Sequence, residues 1–292
     1  MGEAAPKEYV HLHDETAVLA RKWCRTGPDS YSVTVEWPDE QGSPYITPML
    51  VPQTVRQAGL VIAHAELGVP LSHQTLLKTL NYTADPSIFN PRNKPTVLSV
   101  DIVCAGKGRS ATTSGRAIDF TVRHDGRTVI RADSEFGWIS PVAYRRIRGD
   151  HLVVDWGEWP LPGPAAPSLV GRRSASEVVI SPTDVPLRWQ LRNVAENRTL
   201  FDHRVDHVPG LVLVEAACQA VESLTRPGTF VPAVMRSRYM SYVEFDEPCW
   251  IEATVTARAA EASAVRVTGI QGGRTAFEIE LRGAGVRAVG AH

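Results

Sequence analysis

The sequence predicts an α+β chain made of two similar halves, each with one principal helix and an antiparallel meander. Three observations predict it. Two apolar helical runs, within 48–64 and 209–221, can be laid on one another with Gln57 matched to Gln219. Each run is followed by segments of alternating hydrophobicity. Between the halves, Trp156 to Pro167 concentrates Pro and Gly, the composition of a connecting segment.

In chain order, Tyr31 to Trp37 alternates, with Val33, Val35 and Trp37 on one face, as a half-buried strand does. The first helix follows within Pro48 to His64. Val97 to Cys104, Ser114 to His124 and Thr128 to Ile139 read as strands, the last two joined by the hairpin turn His124-Asp125-Gly126-Arg127. After the second helix come strands over Met235 to Phe245, Cys249 to Ala257, Ala264 to Ile270 and Thr275 to Arg282, with Gly272-Gly273 joining the last pair. The 292 residues suffice for about two domains of ordinary size. The expected division is 1–155, a linker over 156–170, and 171–292.

Composition narrows the function classes. The chain is 43% hydrophobic with a formal charge of −1, so it lacks the overall basicity of a nucleic-acid binder. Arg145, Arg146 and Arg148, and Arg236 and Arg238, form local clusters suited to an acidic protein surface or to solvent. Cys24, Cys104, Cys218 and Cys249 make no CxxC pair, so neither a zinc site nor a redox motif is expected. The charged first residues lack the apolar stretch of a signal peptide, no uninterrupted apolar span reaches membrane length, and a cytoplasmic location is expected.

The most informative run is Asp202 to Gln219, which sets a carboxylate inside an apolar helix behind a polar loop. Leu211, Val214, Ala217, Cys218 and Val221 form the apolar stripe. Pro209 suits the start of the helix, and Asp206 stands where it can cap or complement the positive end. Glu215 falls about a turn and a half inside, where burial raises a carboxyl pKa unless a donor pairs with it. Such a group suits acid–base chemistry, or serves as a structural hydrogen-bond anchor. In the superposition Gln53 matches Glu215 and Arg56 matches Cys218.

Pro209-Gly210-x4-Glu215-Ala216-x2-Gln219 resembles the central-helix motif of hotdog-fold dehydratases, in which an antiparallel sheet wraps one long helix. Several ordered motifs together resemble a double-hotdog relative, the A-factor biosynthesis (AfsA-like) family. They are Trp23-x-Arg25-Thr26-Gly27, then Arg56-Gln57-Ala58-Gly59 with Ala63-His64-Ala65-Glu66-x-Gly68-Val69-Pro70-Leu71-x-His73-Gln74, and finally Asp202-His203-x-Val205-Asp206-His207-Val208-Pro209-Gly210. The resemblance spans roughly Val10 to Arg282. It implies a tandem hotdog and an acyltransferase of signalling-molecule biosynthesis. The reaction joins a β-ketoacyl group, delivered as a thioester on acyl carrier protein, to the hydroxyl of dihydroxyacetone phosphate, toward a butenolide or γ-butyrolactone, with no metal or redox cofactor.

Carried onto this sequence, the resemblance makes Glu215 the general base and the amides around Gly210 donors to the thioester oxyanion. His203 and His207 would polarise the carbonyl or shuttle a proton. Arg56 would bind phosphate or orient the acyl chain, Gln53 and Gln219 would hold carbonyl oxygens, and Gln57 and Cys218 complete the substrate-binding set. His64 and His73 are expected to fix the turn after the first helix. The family pattern has Glu at position 53 and Arg at position 218, so the chain retains half of a Glu/Arg pair on each helix. Glu215 and Arg56 would rebuild one pair if the helices face each other, leaving at most one working site. The same losses fit a redirected acyl substrate or a non-catalytic acyl-binding module. Dehydration ranks second, because the loop containing Tyr45-Ile46-Thr47-Pro48 offers no His to Glu215; thioester hydrolysis needs only Glu215 and a water. Neither nucleic acid nor membrane is an expected partner, and a homo-oligomer is compatible with the sequence.

Overall fold

The computed structural model describes residues 2–38, 48–89, 96–104, 116–156, 159–226, 228, 230–258 and 263–284. Ser114, the loop residues Tyr45 to Thr47, and Gly157 and Glu158 of the expected linker lie outside them. The chain divides into two compact units, Met1–Gly149 and Asp150–His292.

In the first unit the strands are β1 (Glu3–Ala4), β2 (Ala20–Gly27), β3 (Ser30–Glu36), β4 (Gln74–Ala84), β5 (Val97–Cys104), β6 (Arg116–His124) and β7 (Arg127–Ile139). They pair in the order β1-β2-β3-β5-β6-β7-β4, antiparallel throughout. Helix α1 (Leu50–Ala65) enters between β3 and β4. The short α2 (Pro141–Arg148) closes the unit, with the Ser140 side chain capping the Ala143 amide and Pro141 in its first turn. The alternation expected from Tyr31 holds: Tyr31, Val33 and Val35 of β3 are all buried, as are Leu98, Val100, Ile102 and Cys104 of β5. Between β6 and β7 the hairpin turn at Asp125 (φ 49°) and Gly126 (φ 75°) has the two positive φ angles that a twisted two-residue connection needs.

Helix α1 is buried on most of its circumference, packed against β2, β3, β4 and the 3₁₀ turn at Lys7–Val10. Gly59 lets the rings of Phe136 and Phe120 approach, at 3.2 and 3.4 Å from where a Cβ would stand. Across the helix, Trp37 donates its indole N–H to Thr54 Oγ1 at 2.7 Å, satisfying the polar atom of a buried ring.

The second unit repeats the connectivity. Strands β8 (Ile180–Pro182), β9 (Arg188–Leu191), β10 (Val231–Tyr239), β11 (Trp250–Arg258), β12 (Ser263–Gln271) and β13 (Arg274–Ala284) pair antiparallel in the order β8-β9-β11-β12-β13-β10. Helix α3 (Gly210–Thr225) enters between β9 and β10, as α1 does between β3 and β4. Gly272 (φ 56°) and Gly273 (φ 72°) make the β12–β13 turn. This order, with the helix inserted after β3 or β9 and the next strand sent to the far edge, is common to both units and carries the duplication that the paired helices suggest.

Two expectations shift, and two strands of the first unit show no pattern that foretells them. The strand expected over Met235–Phe245 runs over Val231–Tyr239; beyond it, Val243 accepts the Val208 amide at 2.9 Å and ties down the loop before α3. Strands β2 and β4 lack clean alternation. In β4 only Leu80, Tyr82 and Ala84 are buried, and pairing with β7 decides the conformation of the rest. The segment expected to link the halves belongs by its contacts to the second unit. Trp159 stacks on Phe245 with ring centroids 4.6 Å apart, and Arg192 donates from Nε to the Pro162 carbonyl at 2.6 Å. The Pro-rich stretch is irregular because prolines cannot complete a ladder, yet its backbone is pinned.

Candidate active site

Helix α3 presents Glu215, which is 5% exposed. Burial of a carboxylate calls for donors, and two converge on Oε1: Arg172 Nε at 2.5 Å and Gln219 Nε2 at 2.6 Å. Among the described residues Oε2 accepts no hydrogen bond. Arg172 is itself mostly buried, and its Nη1 also donates to the carbonyls of Val170 and Gly171, at 3.1 Å each. Burial works against the charge on Arg172, but the attraction of Glu215 and the hydrogen bond between them outweigh it and hold the guanidinium above its ordinary pKa. The cation paired with Glu215 is thus Arg172 of its own unit, where the sequence suggested Arg56. Arg172 drew no attention in the sequence because it follows a turn at the edge of the expected linker and shares no periodic pattern with α3. The only available signal was the need of a buried acid for a cation.

Gln219 does more than hold Glu215. Its Oε1 accepts the Val179 amide at 2.9 Å and its Nε2 donates to the Glu177 carbonyl at 2.8 Å. Gln57 makes the same contacts in the first unit, accepting from Leu19 N at 2.7 Å and Ala20 N at 3.3 Å and donating to Ala17 O at 2.9 Å. Both glutamines are buried and pin a helix to the backbone that enters the sheet, where the amide's donor and acceptor meet the two groups left open between a 3₁₀ turn and a strand. Both were expected among the substrate-binding residues; their amide groups are instead engaged with the protein's own backbone.

Gln53 and Arg56 are half-buried on α1, and Arg56 Nη1 donates to Val10 O at 3.2 Å. Cys218 is buried beside the Glu215–Arg172 pair, and burial foremost, with the charge of Glu215 next, raises its thiol pKa against the opposing pull of Arg172. His64 holds the turn after α1 as expected, with Nδ1 2.7 Å from Val69 O, and its Nε2 lies 2.7 Å from Nε2 of His11.

The loop before α3 orders its two histidines by neighbouring carboxylates. His203 Nδ1 is 2.9 Å from Asp202 Oδ2, and His207 Nδ1 is 2.9 Å from Asp206 Oδ1. Such pairing favours the hydrogen on Nδ1 and turns Nε2 away from the carboxylate. His207 also packs edge-on against Tyr242, centroids 4.6 Å apart. Asp206, expected to cap α3, is engaged with His207, while Pro209 occupies the cap position in extended conformation without a side-chain bond. The Pro209 carbonyl accepts the Val212 and Leu213 amides, so the amides of Gly210 and Leu211 are the first-turn donors without a helical acceptor. The unit therefore offers a buried acid with one oxygen committed, oriented imidazoles, and backbone donors at a helix start.

Among the described residues no helix is long and apolar enough to cross a membrane. The model of the A-factor biosynthesis hotdog domain matches residues 2–140 and again 158–286. A protein of Streptomyces virginiae named 2-oxo-3-(phosphooxy)propyl 3-oxoalkanoate synthase is 36% identical, over 97% of this chain and 99% of the relative. A protein of Streptomyces coelicolor with the same name is 34% identical over 95% of this chain and 91% of its own. Among solved structures, the 12:0-ACP thioesterase of Umbellularia californica aligns with a TM-score of 0.50 at 15% identity, covering 88% of this chain and 98% of that one. An oleoyl thioesterase structure from Lactobacillus plantarum gives 0.52 at 10% identity, covering 90% and 99%. These two likenesses concern the fold. The repeated strand order, the helix each sheet encloses and the two family matches agree: the chain belongs to the A-factor biosynthesis hotdog family.

Proposed function

We propose that the protein transfers a β-ketoacyl group from a thioester, carried on acyl carrier protein, to the hydroxyl of a glycerone-phosphate-type acceptor. The product is a 2-oxo-3-(phosphooxy)propyl 3-oxoalkanoate, the precursor of a butenolide signal. The observation that carries this reading is similarity over nearly the full length to synthases of that name, with Glu215 buried on the second helix.

In this reaction the acceptor O–H gives its proton to Glu215 Oε2 as the hydroxyl oxygen bonds to the thioester carbon. The carbonyl becomes an oxyanion facing the Gly210 and Leu211 amides. When it collapses, the C–S bond breaks and the thiolate takes up a proton, returned from Glu215 or passed through His203 or His207. Arg172 and Gln219 occupy Oε1 throughout and leave Oε2 for the substrate. The same reading places the protein in the cytoplasm, which suits its free cysteines.

Incubation with a β-ketoacyl thioester and dihydroxyacetone phosphate should give the phosphorylated ester by mass spectrometry. Glu215→Gln should reduce its formation by at least about 100-fold, the scale of a lost general base. Thiol release without the acceptor, or loss of water from a β-hydroxyacyl thioester with no ester formed, would replace this reading by hydrolysis or dehydration.

A further inference from the structure

We infer that Arg172 is the positioning residue for Glu215, supplying from the strand-entry segment of the second unit the guanidinium that Arg56 supplies from the helix of the first. The inference rests on the proposed role of Glu215 and adds a residue to it.

The two units make the comparison possible. Each has, ahead of its glutamine-pinned strand, a 3₁₀ turn, Lys7–Val10 or Pro167–Val170, followed by a left-handed residue, His11 (φ 55°) or Gly171 (φ 68°). A second 3₁₀ turn and the glutamine-pinned strand entry follow in both. Val10 and Val170 are therefore equivalent. In the first unit the Val10 carbonyl receives Nη1 of Arg56, a helix residue, at 3.2 Å; in the second the Val170 carbonyl receives Nη1 of Arg172 at 3.1 Å. The residue in α3 that matches Arg56 is Cys218, whose short side chain is buried and carries no charge to offer. A guanidinium thus reaches the same carbonyl in both units, from opposite sides of the contact.

The acid follows the same logic. At the matched helix positions α1 has the uncharged Gln53 and α3 has Glu215, whose Oε1 receives Arg172 Nε. The second unit thus holds its acid–cation pair with the cation on the strand-entry segment and an uncharged Cys218 on the helix. Gly171 makes room for the arrangement: a Cβ there would stand 2.7 Å from Arg226 Nη2 and 3.5 Å from Glu222 Cδ. Among the described residues, Glu222, Arg226 and Cys218 are further titratable or charged groups around the pair, and Tyr239 interacts with Cys218.

Arg172→Met, Arg172→Lys and the double variant Arg172→Met/Cys218→Arg test this in the full chain. Arg172→Met should lower kcat on the order of 100-fold, the effect of a misplaced base, with KM for the thioester nearly unchanged. Cys218→Arg in that background should recover at least tenfold of kcat. The 13C-carboxyl chemical shift of Glu215 at fixed pH, assigned by its loss in Glu215→Gln, gives a readout independent of turnover: it should move in Arg172→Met, which removes the Nε bond to Oε1, and return toward the wild-type position in the double variant. Arg172→Lys, which keeps charge but loses the fork, should fall between and serves if Arg172→Met does not fold. Wild-type kcat and an unmoved Glu215 carboxyl signal in a folded Arg172 variant would overturn the inference, as would a double variant no better than Arg172→Met. If the signal moves while the wild type makes no ester, the pairing stands and the functional reading falls.

Discussion

Replacing Gln57 by Leu separates a structural pin from a substrate ligand. The side chain is buried, so its amide is exchanged for an apolar group of similar volume with little cavity or overpacking. The Leu19 amide, which gives Gln57 its shortest bond at 2.7 Å, and the Ala17 carbonyl at 2.9 Å lose their partner. Each orphaned buried group costs about 1–3 kcal/mol, so the variant should lose about 2–6 kcal/mol. For a unit of this size that lowers Tm by roughly 6–12 °C, taking a loss of about 3 kcal/mol. Urea unfolding followed by circular dichroism should show the midpoint falling with an unchanged slope, and kcat and KM measured well below the transition should remain near those of the parent. Gln219→Leu orphans the equivalent Val179 amide and Glu177 carbonyl but also removes a donor from Glu215 Oε1, so it should lose similar stability and, in addition, kcat. A Gln57→Leu protein as stable as the parent with a raised KM would refute this reasoning and return Gln57 to the substrate.

Thiol chemistry and pH test two further consequences. Burial pushes the Cys104 and Cys218 thiols up and the Cys249 thiol up to about 12, while Cys24 is half-exposed; an aromatic disulfide reagent at neutral pH should label Cys24 first and the other three only on unfolding. Burial also raises the Glu222 carboxyl above its ordinary value of 4.5, against the pull of Arg226 and Arg172. Between its unfolded and folded pKa the native state holds the extra proton, so the stability this group contributes is full below the unfolded value and is lost as pH rises through the folded one. Glu222→Gln should match the parent near pH 4 and gain on it as pH rises, read from urea midpoints; an advantage that shrinks with rising pH would contradict the assignment.

Much of the fold was legible because its signals are local. Alternation in Tyr31 to Trp37 and Val97 to Cys104, and the Asp125-Gly126 and Gly272-Gly273 turns, each follow from residues within a few positions of one another. Strand β4 was not legible, since pairing with β7 along its length, rather than its own sequence pattern, makes it a strand. The Pro-rich stretch misled in the opposite sense: its composition forbids regular structure but does not forbid packing, and the Trp159–Phe245 stack and the Arg192–Pro162 bond need partners remote in the chain.

By itself the sequence determined the duplication, the two central helices and the placing of one carboxylate within the second. Periodicity and internal self-similarity are properties of the chain as written. Only the tertiary structure decided what that carboxylate meets. A buried acid takes whichever donor the fold brings within hydrogen-bond reach, and that donor, Arg172, lies 43 positions earlier. It likewise decided that Gln57 and Gln219 bond the backbone, because an amide's partners are fixed by which open N–H and C=O groups come to lie beside it.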